Sequence, residues 1–315
     1  MAQPSNTFSS YDAVGNREDL SDIIFDVSPA ETPFLSALPK GKATSTKHEW
    51  QTDALANASG TNFVIEGDDA TTDSTSATSR LYNYTAISDK VARVTGTQES
   101  VSKAGRRSEM AYQMEKRMKE LKRDVETILL QNNAYVAGND TLARECAGLQ
   151  AYVKTNTSIA ADATASAGNG SDEHTDGTAR ALQESFVEAV LSSAWTNGGN
   201  PTLGILNAFQ KRKFASFSGS STKNLDANSK KVVNSVDIYI DPLGNEVRLV
   251  PCRQAPTDVV FFVDTEYVKF ATLRNFSTLE LAKTGDSERK QIIAEYTLQV
   301  GNEKAHAGIY DLTAS

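Results

Sequence analysis

Between Met110 and Leu129 the large apolar residues recur in steps of three and four: Met110, Met114, Met118, Leu121, Val125 and Ile128/Leu129. That spacing marks one face of an α-helix and predicts a helix over 106–133. Glu115 with Lys119, and Lys122 with Glu126, fall four residues apart, where opposite charges support a helix surface. Gln131-Asn132-Asn133 and Gly138 end the pattern. At about 1.5 Å per residue the helix spans roughly 40 Å, long enough to serve as a spine. A second helix follows from Leu182, Phe186, Val187, Val190, Leu191 and Ala194, closed by Asn197-Gly198-Gly199. A third is expected over Leu203–Phe217, with Leu206, Phe209, Lys213 and Phe214 among its residues. From Val232 the period changes to two. Val236–Ile240, a turn at Pro242-Leu243-Gly244-Asn245 and Val247–Val250 predict a hairpin. The continuous apolar run Val259–Val263 predicts a buried strand, and Ile292–Val300 and Ala307–Tyr310 predict strands near the end. The fold class is α+β.

The front of the chain follows neither period. Residues 1–43 carry Ile23, Ile24, Phe25 and Val27, then Pro29, Pro33-Phe34-Leu35 and Leu38-Pro39. Such closely spaced prolines forbid a continuous helix and favour extended or kinked backbone, with room for one helical turn around 18–25. Each of these apolar groups is worth about 1.5–3 kcal/mol when fully buried, so the cluster needs a surface to cover it. That surface belongs either to the arm's own domain or to a neighbour; the sequence leaves both open. Residues 44–98 predict a long two-stranded ribbon, with Lys47–Thr52 and Leu81–Ser88 as its strands. Between them lies a polar Gly/Asp/Ser/Thr tract that cannot pack a core of its own. An isolated ribbon is marginal in water, so this one needs something outside itself to lean on. A second low-complexity tract occupies 155–178.

Composition narrows the function. The 315 residues are 39% hydrophobic and 8% aromatic, enough for a true core. The formal net charge of −8 argues against a DNA-condensing surface, since duplex affinity comes mainly from Lys and Arg displacing counterions. The two cysteines, Cys146 and Cys252, form no disulfide framework and are expected in the core. The polar N-terminus lacks the apolar core of a secretory signal, and no stretch nears the roughly 20 apolar residues of a membrane span.

Catalytic constellations do not emerge. His48, His174 and His306 have no second His or Cys at metal-ligand spacing, and no Gly-x-Ser-x-Gly elbow occurs. Gly168-Asn169-Gly170 lies in a polar loop, and Lys283-Thr284-Gly285-Asp286 lacks the P-loop spacing. Glu66-Gly67-Asp68-Asp69 lacks the alternating ligands and distant Glu of a calcium loop and reads as a solvated turn. Two basic clusters, Lys116 to Arg123 on the spine helix and Lys211-Arg212-Lys213, read as solvated helix faces, with contact to DNA or to acidic patches as the alternative. No enzyme, metal site or cofactor is expected.

Two stretches resemble a known family. The first runs from Asn16-Arg17-Glu18-Asp19-Leu20 through SDIIFDVSPAETPFLSALPKGKATSTKHEWQTDAL; the second is LAKTGDSERKQIIAEYTLQVGNEKAHAGIYDL, Leu281 to Leu312. Both are similar to the tailed-bacteriophage major capsid proteins of the Hong Kong 97-type fold, with a weaker match over 150–230. The resemblance implies an N-terminal arm (1–43), an extended β-hairpin loop (44–98), a peripheral domain with a long spine helix (99–150), an axial domain (151–264) and return strands of the peripheral domain (265–315). It implies a structural subunit, not an enzyme, assembling as hexamers and pentamers into the icosahedral head that encloses double-stranded DNA. The implied partners are further copies of itself, a portal, scaffolding or decoration proteins, and packaged DNA bound without sequence specificity. The implied location is the virion capsid, assembled in the bacterial cytoplasm. Some members of the family form a Lys–Asn isopeptide bond; Lys47 and Lys90 lie in the hairpin, but no partner Asn is identifiable and the bond is not expected. The arm starts near Met1, which suggests a separate scaffold or none.

The residues expected at contacts between subunits are Phe25, Phe34 and Leu35 in the arm and Trp50, Phe63, Tyr82 and Tyr84 in the hairpin, because aromatic anchors dominate interface energy. The rival readings are an encapsulin-like nanocompartment shell and a phage tail or adhesin module.

Overall fold

Two sheets, one long helix and a projecting ribbon account for the architecture. The computed structural model describes residues 29–314 apart from 57, 68, 70–74, 76, 104, 218–224, 227–230 and 233–236; Phe25 and the possible turn at 18–25 lie outside the described residues. In chain order, α1 is Pro33–Ala37, β1 Lys40–Lys42, β2 Lys47–Thr52, β3 Ser79–Tyr84, β4 Ala86–Thr95, α2 Gly96–Ser100 and α3 Glu109–Leu130. The middle holds β5 Thr157–Ser158, α4 Glu184–Thr196, β6 Leu203–Leu206, α5 Ala208–Phe214, β7 Leu225–Asp226 and β8 Lys231–Val232. The end holds β9 Ile238–Ile240, β10 Glu246–Pro251, β11 Val260–Val263, β12 Val268–Leu281, β13 Ser287–Val300 and β14 Ala307–Ile309.

The spine helix α3 forms where its stripe predicts. Ser108 caps it by accepting the Ala111 N–H at 3.3 Å. Its apolar face, including Leu121, Val125 and Leu129, is buried. One of the expected surface pairs forms, Glu115 with Lys119 at 2.7 Å. The other does not: Glu126 turns inward and is fully buried.

A four-stranded sheet packs against the spine in the order β1-β12-β13-β4. Its centre is the hairpin of β12 and β13, fourteen residues each, whose register shifts twice between Thr272 and Ser277. The second sheet has six strands in the order β5-β14-β11-β6-β10-β9. Its central strand β11 is buried on both faces: Phe261 and Val263 join the core under the spine, while Val260 and Phe262 meet α4 and α5. The expected hairpin forms from β9 and β10, with Gly244 supplying φ +87° at its turn.

Two sequence expectations need revision. The helix expected over Leu203–Phe217 is a strand followed by a short helix. Leu203, Gly204, Ile205 and Leu206 are all buried between β11 and β10, where consecutive apolar residues suit a strand covered on both sides. A Cβ on Gly204 would lie 2.7 Å from Leu249 Cδ2, so any larger residue there would displace the Leu249 side chain. Asn207 then accepts the Phe209 N–H at 3.1 Å and starts α5. Second, the strand expected over Leu81–Ser88 belongs to two sheets: β3 pairs with β2, and after buried Thr85 the chain enters β4, which pairs with β13. Within 265–315, β12 and β13 belong to the four-stranded sheet, and β14 pairs with β5 and β11 in the other. Both cysteines are free and buried in the core under the spine.

Candidate assembly surfaces

The ribbon of β2 and β3 is anchored at its base by residues from distant parts of the chain. Trp50 packs against Tyr152 with ring centroids 5.9 Å apart, and the Tyr152 hydroxyl donates to the Tyr82 carbonyl at 2.8 Å. Tyr82, Tyr84 and Tyr135 form an aromatic cluster: Tyr135 Oη lies 2.6 Å from Tyr82 Oη, and Lys47 Nζ lies 3.9 Å over the Tyr82 ring. Asn83, wholly buried among these aromatics, donates to the Leu298 and Ala147 carbonyls at 2.9 and 3.3 Å. Its Oδ1 accepts the Ala147 N–H at 2.9 Å. One amide thereby ties the ribbon to β13 and to the loop after the spine.

Where the ribbon leaves its base, charge takes over. Buried Glu295 on β13 receives Arg144 at 2.6 Å, Arg274 at 2.8 Å and the Thr85 hydroxyl at 3.0 Å. Arg274 is the residue at which β12 changes register, so the irregularity aims its guanidinium at Glu295. The knot joins the ribbon exit, the loop after the spine and the bulge of the long hairpin.

The end of the arm is held in a comparable way. Phe34 is fully buried in the core under the spine, and the Phe34 and Leu35 N–H groups donate to the Glu126 carboxylate at 2.8 and 2.7 Å. Burial pushes the Glu126 pKa up despite these donors and the Cys252 thiol 3.4 Å away.

These contacts redistribute the residues expected between subunits. Phe34 is fully buried inside its own subunit, in the core under the spine. Trp50 is likewise inside, at the root of the ribbon. Tyr82 and Tyr84 are half-buried at that root, and Leu35 is half-buried beside the spine. Phe63 stands apart, 87% exposed, with Val64 at 86%, Ile65 at 77% and Leu55 at 97% in the same excursion. Asn83, Glu126 and Glu295 are missed by sequence reasoning; the one available signal is Asn83 standing among tyrosines in a strand.

Among the described residues, one group of side chains has metal-ligating geometry: His174, Asp176 and Asp311, with ligand atoms within 4.8 Å of one another. Asp311 already accepts the Ala160 and Gly177 N–H groups, both at 2.8 Å, and lies 3.2 Å from His174 Nε2. Burial opposes its ionisation, but these donors outweigh burial and hold its pKa below the usual carboxylate range. The group therefore works as a clamp joining the C-terminal strand to the loops at 160 and 174–177.

An arm seated on a spine helix, a ribbon fixed only at its root and two sheets sharing one core define a shell-forming subunit of the Hong Kong 97-type fold. The family model for the SU10 major capsid protein matches residues 3–313, and the chain belongs to that family. It is 30% identical over 345 aligned positions to the major capsid protein of Escherichia phage Phieco32, covering 98% of both chains. Among solved structures it resembles the capsid asymmetric unit of cyanophage A-1(L), with TM-score 0.67, 11% identity and 97% and 98% of the two chains covered. It also resembles an encapsulin complex of Synechococcus elongatus, with TM-score 0.56, 10% identity and 95% and 93% covered. At such identities the structures establish the fold alone; the family and the curated relative place the chain among phage major capsid proteins rather than with the encapsulin.

Proposed function

We propose that this chain assembles as hexamers and pentamers into the icosahedral head of a tailed phage and encloses double-stranded DNA without catalysing a reaction. The observation that carries the reading is the contrast within the ribbon: a root fixed by buried contacts and an apolar tip that its own subunit leaves uncovered. In this reading residues 1–43 form the arm, 44–98 the extended loop, 99–150 the spine region and 151–264 an axial domain around the symmetry centres. Residues 265–315 supply the strands that return to the spine region. A portal, scaffolding or decoration proteins and DNA touch the shell, which is built in the bacterial cytoplasm and ends in the virion. The formal charge of −8 favours DNA held by confinement rather than by adhesion to the whole surface.

Electron microscopy of the purified, concentrated protein tests the proposal: closed shells of five- and six-fold units are expected, and a monodisperse monomer defeats it. Truncation is informative only upstream of Pro29, because removing 1–40 also removes Phe34, Leu38 and the first residue of β1. Deletion of 1–28 leaves the described core intact and is expected to weaken shells without unfolding the subunit.

A further inference from the structure

Segments far apart in the sequence deliver metal-ligating side chains to one point beside the end of the chain. His174 and Asp176 come from the loop before α4, and Asp311 follows β14. The His174 and Asp311 side chains are wholly buried, whereas that of Asp176 is 64% exposed. His174 Nε2 lies 3.2 Å from Asp311 Oδ1 and 3.9 Å from Asp176 Oδ1, and all three ligand atoms fall within 4.8 Å of one another. Ligands held about 2.0–2.2 Å from one metal ion sit about 3.3–3.6 Å apart on a tetrahedron. The buried pair is close to that spacing already, and rotation of the exposed Asp176 side chain brings in the third ligand. Spacing along the chain cannot reveal this set, because His174 and Asp311 are 137 positions apart.

The lone pairs that a metal needs are free. Asp311 Oδ2 accepts the Ala160 N–H and Oδ1 the Gly177 N–H, both at 2.8 Å. A carboxylate offers about four acceptor positions, so Oδ1 retains one. On His174, Nδ1 is buried without a hydrogen-bond partner, so no donor there pins the ring proton on Nε2. A further carboxylate, Asp258, faces the group: burial and, after it, the charges of Asp176 and Asp311 push its pKa up. Arg180 lies near Asp311 but points elsewhere, donating to Ser158 Oγ at 3.0 Å and to the Tyr310 carbonyl at 3.4 Å. Three carboxylates thus surround one imidazole, with no ion pair from Lys or Arg to any of them among the described residues.

We propose that His174, Asp176 and Asp311 bind one divalent transition-metal ion per subunit, with Asp258 adding negative charge beside it. A mixed imidazole and carboxylate set suits Zn²⁺ or Mn²⁺ better than Mg²⁺ or Ca²⁺, which take oxygen ligands. Water completes the coordination on the side where Asp176 meets solvent. The ion reinforces the clamp that the Asp311 hydrogen bonds already form, tying the loops at 160 and 174–177 to the residues after β14. The site lies within one subunit, so its occupation does not depend on shell formation.

Calorimetric titration of the tag-free, chelator-treated full-length protein with Zn²⁺ tests the site, and hydrogen exchange locates it. One equivalent per chain is expected to bind. Asp176→Asn changes an exposed side chain and is expected to weaken binding at least about tenfold while the metal-free thermal transition stays in place. His48→Asn, which removes an imidazole of the ribbon, is expected to leave binding unchanged. In the wild type, Zn²⁺ is expected to slow exchange of the Ala160 and Gly177 amides, and this readout decides the matter even where a variant fails to fold. Absence of saturable binding overturns the proposal. So does an equivalent that survives Asp176→Asn or is lost with His48→Asn, and so do Ala160 and Gly177 amides that exchange at the same rate with and without Zn²⁺. Displacement of Zn²⁺ by an equal concentration of Mg²⁺ overturns the assignment to a transition metal.

Discussion

The root and the tip of the ribbon are built from one continuous stretch of chain on opposite principles. At the root, side chains reach distant segments of the same chain: Asn83 bridges two of them, and the Tyr152 hydroxyl reaches a ribbon carbonyl. At the tip, Phe63, Val64 and Ile65 are large, apolar and turned to solvent. A soluble monomer gains nothing from three adjacent exposed hydrophobic residues, which mark interaction or aggregation sites. The difference teaches where the subunit's own folding information stops. At β2 and β3 the sequence specifies contacts within the subunit, whereas Phe63, Val64 and Ile65 are left exposed by it.

The sharpest way to break this comparison is to remove an anchor on the internal side. Phe34→Ala empties a fully buried site under the spine and is expected to cost about 3–5 kcal/mol in denaturant unfolding of the unassembled subunit. A cost under about 1 kcal/mol would mean that Phe34 packs elsewhere, restoring it as a candidate for contact between subunits.

That residue also shows what was legible in the sequence. The spine helix is readable because a three-four apolar period is local, and Ile292–Val300 is readable as a strand, whereas its partner β12 is not anticipated. The arm is readable as proline-broken, yet whether Phe34 faces its own core or a neighbour depends on Glu126, ninety-two positions away. Glu126 itself reads as half of an exposed pair with Lys122, because helical spacing cannot reveal that two N–H groups from α1 approach that turn. Leu203–Leu206 misleads for a related reason: a short apolar run has no period of its own, and only the strands on either side decide its conformation. Phe63 is the expected contact that the structure leaves exposed.

A second prediction concerns acid. Burial lowers the His306 pKa from the usual 6.5 to about 3, and its Nδ1 accepts the Asp264 N–H at 3.2 Å. The folded subunit therefore keeps this imidazole neutral where the unfolded chain protonates it. The stabilisation is fully present above pH 6.5 and is lost progressively as the pH falls from about 6.5 toward 3. His306→Asn retains an acceptor without the titration, so its stability is expected to fall less steeply than the wild type's between pH 7 and 4. Parallel slopes would show that other groups dominate the acid limb.

Smaller is the expected cost of loosening the knot at the ribbon exit. Glu295→Gln weakens charge-assisted bonds to Arg144 and Arg274, whose guanidinium groups keep access to water, so about 1.5–3 kcal/mol is expected. Hydrogen exchange supplies the sharper readout: amides of β3 and β4 flanking Thr85 should exchange faster, while those of the spine helix stay unchanged. Equal acceleration in both would mean that Glu295 supports the core at large rather than the ribbon.

The smallest effect on the lone subunit should accompany the largest effect on assembly. Phe63→Asp places a charge on a side chain that is 87% exposed, so unfolding of the unassembled protein should change by no more than about 0.5 kcal/mol. In a shell the same substitution would put a carboxylate in an apolar interface, where an unpaired buried charge costs several kcal/mol, about a hundredfold or more in association at each contact. Sedimentation of wild type and variant at equal concentration should show shells for one and slow subunits or capsomers for the other, while their unfolding curves superimpose. Matching curves with matching shells would make the tip an ordinary surface loop; a shifted curve would place it in the subunit's own core. Only unchanged folding with lost assembly leaves the division between root and tip where the exposure of Phe63 puts it.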